Sequence, residues 1–230
     1  MNLQVCVPYQ PCVYKCPMCV ARGHKHKYIF DNLYKDNKRK YLRLLAKAVR
    51  KLDKGVSVIL TGECDPTQDI EFCKEVIKVV RKVRKDIRIE LQTRNYLYQG
   101  ELDVDVLSYS IVSLRGYQNA RNYYKDWIIT NRMVILLVKG LEPYLNNEHF
   151  DTKGFDQVTF KTLQYSEDPE VNAWIDKFKM SEEGVEAVRG IVRDGISIRV
   201  DTSCQNGEGR YYIFRSDGKT YRTWEEGRKG

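Results

Sequence analysis

Apolar positions fall into two kinds of pattern along the chain, short β-branched runs of alternating period and longer stretches with steps of three and four. The first suits a strand with one buried face, the second a helix with one apolar stripe. Residues 3–7 form the first strand-like run, after which Pro8, Pro11 and Pro17 break regular structure. Leu42, Leu45, Val49 and Leu52 then mark one helical face over residues 38–53, with Gly55 placed as a C-cap. Residues 56–60 read as a strand ending at Thr61-Gly62-Glu63, and Ile70, Cys73, Val76, Ile77, Val80 and Val83 as a helix.

The alternation continues. Strands are predicted over residues 87–91, 107–114, 134–138, 158–163 and 196–200, with a helical face at Val185, Val188, Ile191 and Val192 before the last of them. Strands separated by helices favour parallel pairing through right-handed crossovers. The expected fold class is α/β, a partial (β/α)6 TIM-like barrel. Residues 211–214 and 220–224 flank Ser216-Asp217-Gly218-Lys219, a strong hairpin signal. The expected organisation is therefore one compact domain, a core over residues 1–200 with a C-terminal β-hairpin extension over 201–230.

Seven cysteines change this picture. The amino terminus has no basic segment ahead of an apolar one, which predicts a reducing cytoplasmic compartment, and no apolar stretch is long enough to span a membrane. An odd number of cysteines in such a compartment points to metal or catalysis instead of disulfides. Cys12, Cys16 and Cys19 follow the pattern C-x3-C-x2-C on the loop after the first strand. Three soft thiolates suit iron–sulfur or zinc. Zinc has its own candidate set in Cys16, Cys19, His24 and His26, which would make a non-catalytic nucleic-acid-binding module.

The cysteine spacing close behind a first strand resembles the radical S-adenosylmethionine (radical SAM) superfamily. The resemblance covers residues 3 to about 165 and identifies no subfamily. It implies a [4Fe-4S] cluster on Cys12, Cys16 and Cys19 whose fourth iron binds S-adenosyl-L-methionine. It also implies reductive cleavage of that cofactor, hydrogen abstraction by a 5′-deoxyadenosyl radical, and a one-electron reductant such as flavodoxin or ferredoxin. Met18, just before the third cysteine, takes the position near the adenine. Gly62-Glu63 resembles the family's Gly-Gly-Glu-Pro motif with one glycine and with Pro66 displaced, and implies a hold on the methionine amino group. Thr93, Arg94 and Asn95 resemble the turn after the third strand, and Ser113 and Arg115 the end of the fourth. Hydroxyl and amide groups there would reach the ribose, and an arginine the methionine carboxylate.

The substrate is encoded elsewhere. Cys204 lies just after a predicted strand and could donate hydrogen or quench a radical, or simply pack; Cys73 reads as core. Tyr211, Tyr212, Phe214, Tyr221 and Trp224 interleave with Arg215 and Arg222 on the expected hairpin, and the formal charge is +8. Aromatic and basic residues together suit stacked bases and phosphates, and equally an alternating hairpin that covers a barrel end. A nucleotide or nucleic-acid base is therefore the first substrate class, ahead of a small metabolite and a peptide or protein.

Overall fold

The computed structural model describes residues 1–8, 10–16, 31–62, 64–98, 100–122, 130–146, 148–163, 165, 169–201, 211–223 and 226. Met18, Cys19, Glu63, Cys204 and Trp224, together with His24 and His26, lie outside the described residues. Among the described residues, nine strands follow one another in one open sheet, in the order β7-β6-β5-β4-β3-β2-β1-β8-β9. In chain order they are β1 (Asn2–Val7), β2 (Ser57–Gly62), β3 (Arg88–Thr93), β4 (Val106–Ile111), β5 (Thr130–Leu136), β6 (Gln157–Lys161), β7 (Ser197–Asp201), β8 (Tyr211–Phe214) and β9 (Thr220–Tyr221). The helices are α1 (Leu33–Asp36), α2 (Lys38–Arg50), α3 (Ile70–Val83), α4 (Leu114–Asn122), α5 (Pro169–Asp176) and α6 (Glu182–Arg189). This is the α/β arrangement that alternating periods predict.

The chain divides into two compact units. The first comprises the described residues of Met1–Lys15, Lys25–Val106 and Gly209–Gly230. Within it β1 pairs in parallel with β2, and β2 with β3, so that Leu3, Val58 and Ile89 share one face and Gln4, Ile59 and Glu90 the other. The first face is apolar because α2 and α3 cover it. Asn37 starts α2 by accepting from Lys40 N at 3.0 Å, and Asp69 starts α3 by accepting from Phe72 N at 3.0 Å. Tyr41 of α2 is fully buried, its ring 5.9 Å from Phe72 of α3 and 5.2 Å from Phe214 of β8.

The C-terminal hairpin forms, as Asp217-Gly218 predicts, with Gly218 at φ +76° and β8 antiparallel to β9. Its first strand does more than cap an end. β8 runs parallel to β1, from Asn2 opposite Tyr211 to Val5 opposite Phe214, and so continues the main sheet. The expected surface of stacking aromatics is corrected in part: Phe214 is 1% and Arg215 0% exposed, with the Arg215 guanidinium 5.6 Å from the Tyr221 ring centre. An arginine beneath an aromatic ring is part of the packing there.

The second unit holds the described residues of Cys16–His24 and Leu107–Glu208. Here β5, β6 and β7 pair in parallel, aligning Arg132 with Gln157 and Ser197, and Leu136 with Lys161 and Asp201. Val158 and Phe160 of β6 are buried, and Phe160 meets Phe150 at 5.2 Å, which in turn stacks on Tyr117 of α4 at 5.7 Å. The strand expected over residues 107–114 ends earlier, because Ser113 accepts from Gly116 N at 3.2 Å and starts α4 at Leu114. Among the described residues, no helix is long and apolar enough to cross a membrane.

Candidate functional site

The carboxyl ends of β1, β2 and β3 build the site in the first unit. At the end of β2, Gly62 stands opposite Val7, with φ +146°. A Cβ there would lie 2.7 Å from Val7 N and 3.0 Å from Cys6 Cα. Backbone cannot swing aside as a flexible side chain can, so the approach of β1 alone requires glycine at this place.

Beyond Gly62 the chain enters a short 3-10 turn, Pro66–Gln68, organised by Asp65. Asp65 is 7% exposed, and its carboxylate is surrounded by donors. Oδ1 accepts from Thr67 N at 3.0 Å, Thr67 Oγ1 at 2.7 Å and Thr93 Oγ1 at 2.7 Å, while Oδ2 accepts from Arg94 N at 2.7 Å. Four charge-assisted hydrogen bonds compensate the burial of the carboxylate. Asn95 closes the ring, its N–H donating to Thr93 Oγ1 at 2.9 Å and its amide to Thr67 Oγ1 at 3.1 Å. The turn Thr93-Arg94-Asn95 is thereby locked to the end of β2. Thr93 is 2% exposed and gives its one hydroxyl proton to Asp65, so it holds the loop and does not present that proton to a ligand.

The cysteine loop rests on this assembly. Gln68 meets it at two peptide groups, accepting from Val13 N through Oε1 at 3.1 Å and donating from Nε2 to Pro11 O at 3.1 Å. These are the groups on either side of Cys12. Arg94 donates from Nη1 to Tyr14 O at 3.4 Å, and its guanidinium lies 5.5 Å from the Tyr14 ring centre. The Tyr14 phenol is pushed up to about 12, first by burial and then by the Asp65 carboxylate, against the opposing pull of Arg94. Lys15, next along, has φ +43°, a left-handed conformation that costs a non-glycine residue about 1 kcal/mol. That bend turns the chain between Cys12 and Cys16.

The cysteines separate into two groups. Cys6, Cys64 and Cys73 are buried. Cys64 Sγ donates to Pro8 O at 3.7 Å and burial pushes its thiol up to about 12; Cys73 Sγ donates to Pro66 O at 3.4 Å, and burial raises its thiol further. Such thiols are inert packing, as the apolar face around Cys73 predicts. Cys12 and Cys16 are half-buried and outside any disulfide, and the Cys12 thiol has no part in the Gln68 contacts that hold its loop. Among the described residues no three His, Cys, Asp or Glu gather as a metal site, and the third cysteine of the motif lies outside them.

Ser113 and Arg115 belong to the second unit. The Ser113 hydroxyl caps α4, and Arg115 is exposed on its first turn. The structure thus brings Gly62, Thr93, Arg94 and Asn95 to one set of strand ends in the first unit. Gln68 is the residue that sequence reasoning missed, and Asp65, a turn residue by sequence, gains its hold on Thr93 and Arg94 only in the folded chain.

No protein-family model matches the chain, and no curated protein does. Solved structures do match. A polyhistidine-tagged anSMEcpe with bound AdoMet covers 96% of this chain and 71% of its own, at TM-score 0.62 and 15% identity. Native anSMEcpe with bound AdoMet covers 96% and 73% at TM-score 0.60 and 14% identity. Native anSMEcpe with bound AdoMet and the Cp18Cys peptide covers 97% and 73% at TM-score 0.64 and 14% identity. The chain shares their fold. At this identity the likeness shows the fold alone, the α/β arrangement with an open parallel sheet that the strand and helix periods predict.

Proposed function

We propose that this chain is a radical S-adenosylmethionine enzyme in which Cys12, Cys16 and Cys19 hold a [4Fe-4S] cluster by three of its corners. The observation that carries the reading is the loop of Cys12, pinned by Gln68 and Arg94 to the strand ends of a fold shared with AdoMet-bound enzymes. The donor set fits the group, since thiolates are the ligands of iron–sulfur clusters and the clamp satisfies the loop backbone without using the Cys12 thiol. When bound, cluster and S-adenosylmethionine supply one-electron cleavage of the sulfonium bond and a 5′-deoxyadenosyl radical that abstracts a substrate hydrogen. An external one-electron reductant such as flavodoxin or ferredoxin would provide the electron, and a reducing cytoplasm suits cysteines that among the described residues form no disulfide.

The chain's own residues position the parts. Gly62 ends β2, and Glu63, the next residue in sequence, would offer a carboxylate to the ammonium of the methionine moiety. Arg94 and Asn95 flank the same strand ends, and Met18, which precedes the third cysteine in sequence, would serve the adenine. Ser113 and Arg115 are candidates for the ribose and the methionine carboxylate, and Cys204 for the substrate side.

A nucleotide or nucleic-acid base is the substrate class we favour. The alternate face of β5–β7, opposite buried Val158 and Phe160, carries the cations Arg132, Lys161 and Arg199 among Val134, Leu136, Gln157, Thr159, Ser197 and Asp201. Cations on that face suit phosphate. A peptide is the second reading, favoured by the Cp18Cys peptide in the anSMEcpe structure.

Replacing Cys12 with Ala is the direct test. The expected outcome is loss of reductive S-adenosylmethionine cleavage, measured as 5′-deoxyadenosine; continued production by that variant would remove the cluster assignment.

A further inference from the structure

We propose that Gln68 is a positioning residue for Cys12, holding the thiol in the orientation its metal requires before the metal arrives. The inference rests on the reading of Cys12 as a cluster ligand and deepens it.

In an extended segment the carbonyl of one residue and the N–H two residues later point to the same side, away from the peptide groups of the residue between them. Pro11 O and Val13 N–H flank Cys12 and face one side, since one carboxamide of Gln68 meets both, at 3.1 Å each. The match is chemical as well as geometric. A carboxylate could accept from Val13 but would set a negative oxygen against Pro11 O, and an apolar side chain could do neither. Pro11 has no N–H of its own, so its carbonyl is the one backbone group it can offer.

Gln68 is itself held. Its N–H donates to Asp65 O at 3.0 Å in the 3-10 turn, and Asp65 is fixed by Thr67, Thr93 and Arg94. A second contact, from Arg94 Nη1 to Tyr14 O, takes hold of the loop two residues further on. Cys12 is thus attached to the ends of β2 and β3 through its backbone, with the thiol left out. Groups that orient a metal ligand in this way, without touching the metal, commonly change metal affinity by about 10- to 100-fold when removed.

The experiment compares wild type with Gln68→Glu and Gln68→Leu after anaerobic reconstitution with iron and sulfide. Both variants should keep the wild-type circular dichroism, and each should lose iron to a chelator on the order of 10-fold faster, with an altered electron paramagnetic resonance spectrum of the reduced protein. A purely structural role would lower the thermal midpoint and leave that spectrum unchanged. If Gln68→Leu fails to fold, Gln68→Glu, of the same shape, carries the test. Wild-type iron retention and spectrum in the folded variants would overturn the proposal. In metal-free protein the clamp also predicts faster alkylation of Cys12 in both variants, and an unchanged rate there overturns it separately. A wild type that takes up no iron refutes the cluster reading itself, while the alkylation rates still decide whether Gln68 orients the thiol.

Discussion

Asp65 Oδ2 accepts the backbone N–H of Arg94 at 2.7 Å, a bond that joins the end of β2 to the end of β3 across 29 positions of sequence. The same carboxylate holds the Thr67 and Thr93 hydroxyls, so one buried anion organises the turn that carries Gln68 and the turn that carries Arg94.

Replacing Asp65 with Ala would leave two hydroxyls and two N–H groups without their acceptor. Hydrogen bonds to charged groups contribute about 1.5–3 kcal/mol each and are not additive, so the expected loss is about 2–4 kcal/mol, read from denaturant unfolding. Asp65→Asn keeps one acceptor oxygen but turns an amide toward donors, and should lie between wild type and Asp65→Ala. An Asp65→Ala protein as stable as wild type would contradict the role assigned to this carboxylate.

Gly62 and Gly55 offer a contrast between two glycines of positive φ. At Gly55, with φ +76°, a Cβ would meet nothing within 4 Å, whereas at Gly62 it would meet Val7 N at 2.7 Å. Gly55→Ala should therefore cost about 1–2 kcal/mol from conformation alone. Gly62→Ala should cost clearly more, because strain adds to a clash with backbone. Equal unfolding free energies for the two variants would show that β1 does not press on Gly62.

Folding stability should fall in alkali. Burial raises Cys64 from its ordinary value near 9 to about 12, and Tyr98 from 10 to about 12. The folded chain then keeps protons that the unfolded chain releases, so stability is full below about pH 9 and declines as the pH rises toward 12. Thermal midpoints measured across that window should drop, and Cys64→Ala should make the first part of the drop shallower. A midpoint that stays flat above about pH 9 would contradict the burial of these groups.

The elements that repeat a clear period were legible in the sequence. The stripe of Leu45 and Val49, the face of Cys73, Val76 and Val80, and the Asp217-Gly218 turn all lie where their spacing predicts. Local patterns fail where a side chain redirects the backbone. Ser113 follows an apolar run that reads as a strand to residue 114, yet its hydroxyl starts α4. Arg215 reads as a surface cation on an alternating hairpin and is fully buried under Tyr221. The clamp on Cys12 was not legible at all, since Gln68 lies 55 positions from Val13 and no periodic pattern relates two groups joined only by folding. Within the candidate site, the sequence pointed to the cysteines and the strand ends; what holds them in place required coordinates.

The most direct measurement is the metal and cofactor chemistry of wild-type protein prepared and reduced without oxygen. The expected result is a brown protein with roughly four irons per chain that converts S-adenosylmethionine to 5′-deoxyadenosine and methionine. Nucleotides or short RNA should raise that conversion above its uncoupled rate. A colourless protein that holds zinc, and leaves S-adenosylmethionine intact, would contradict the cluster assignment and the radical chemistry built on it.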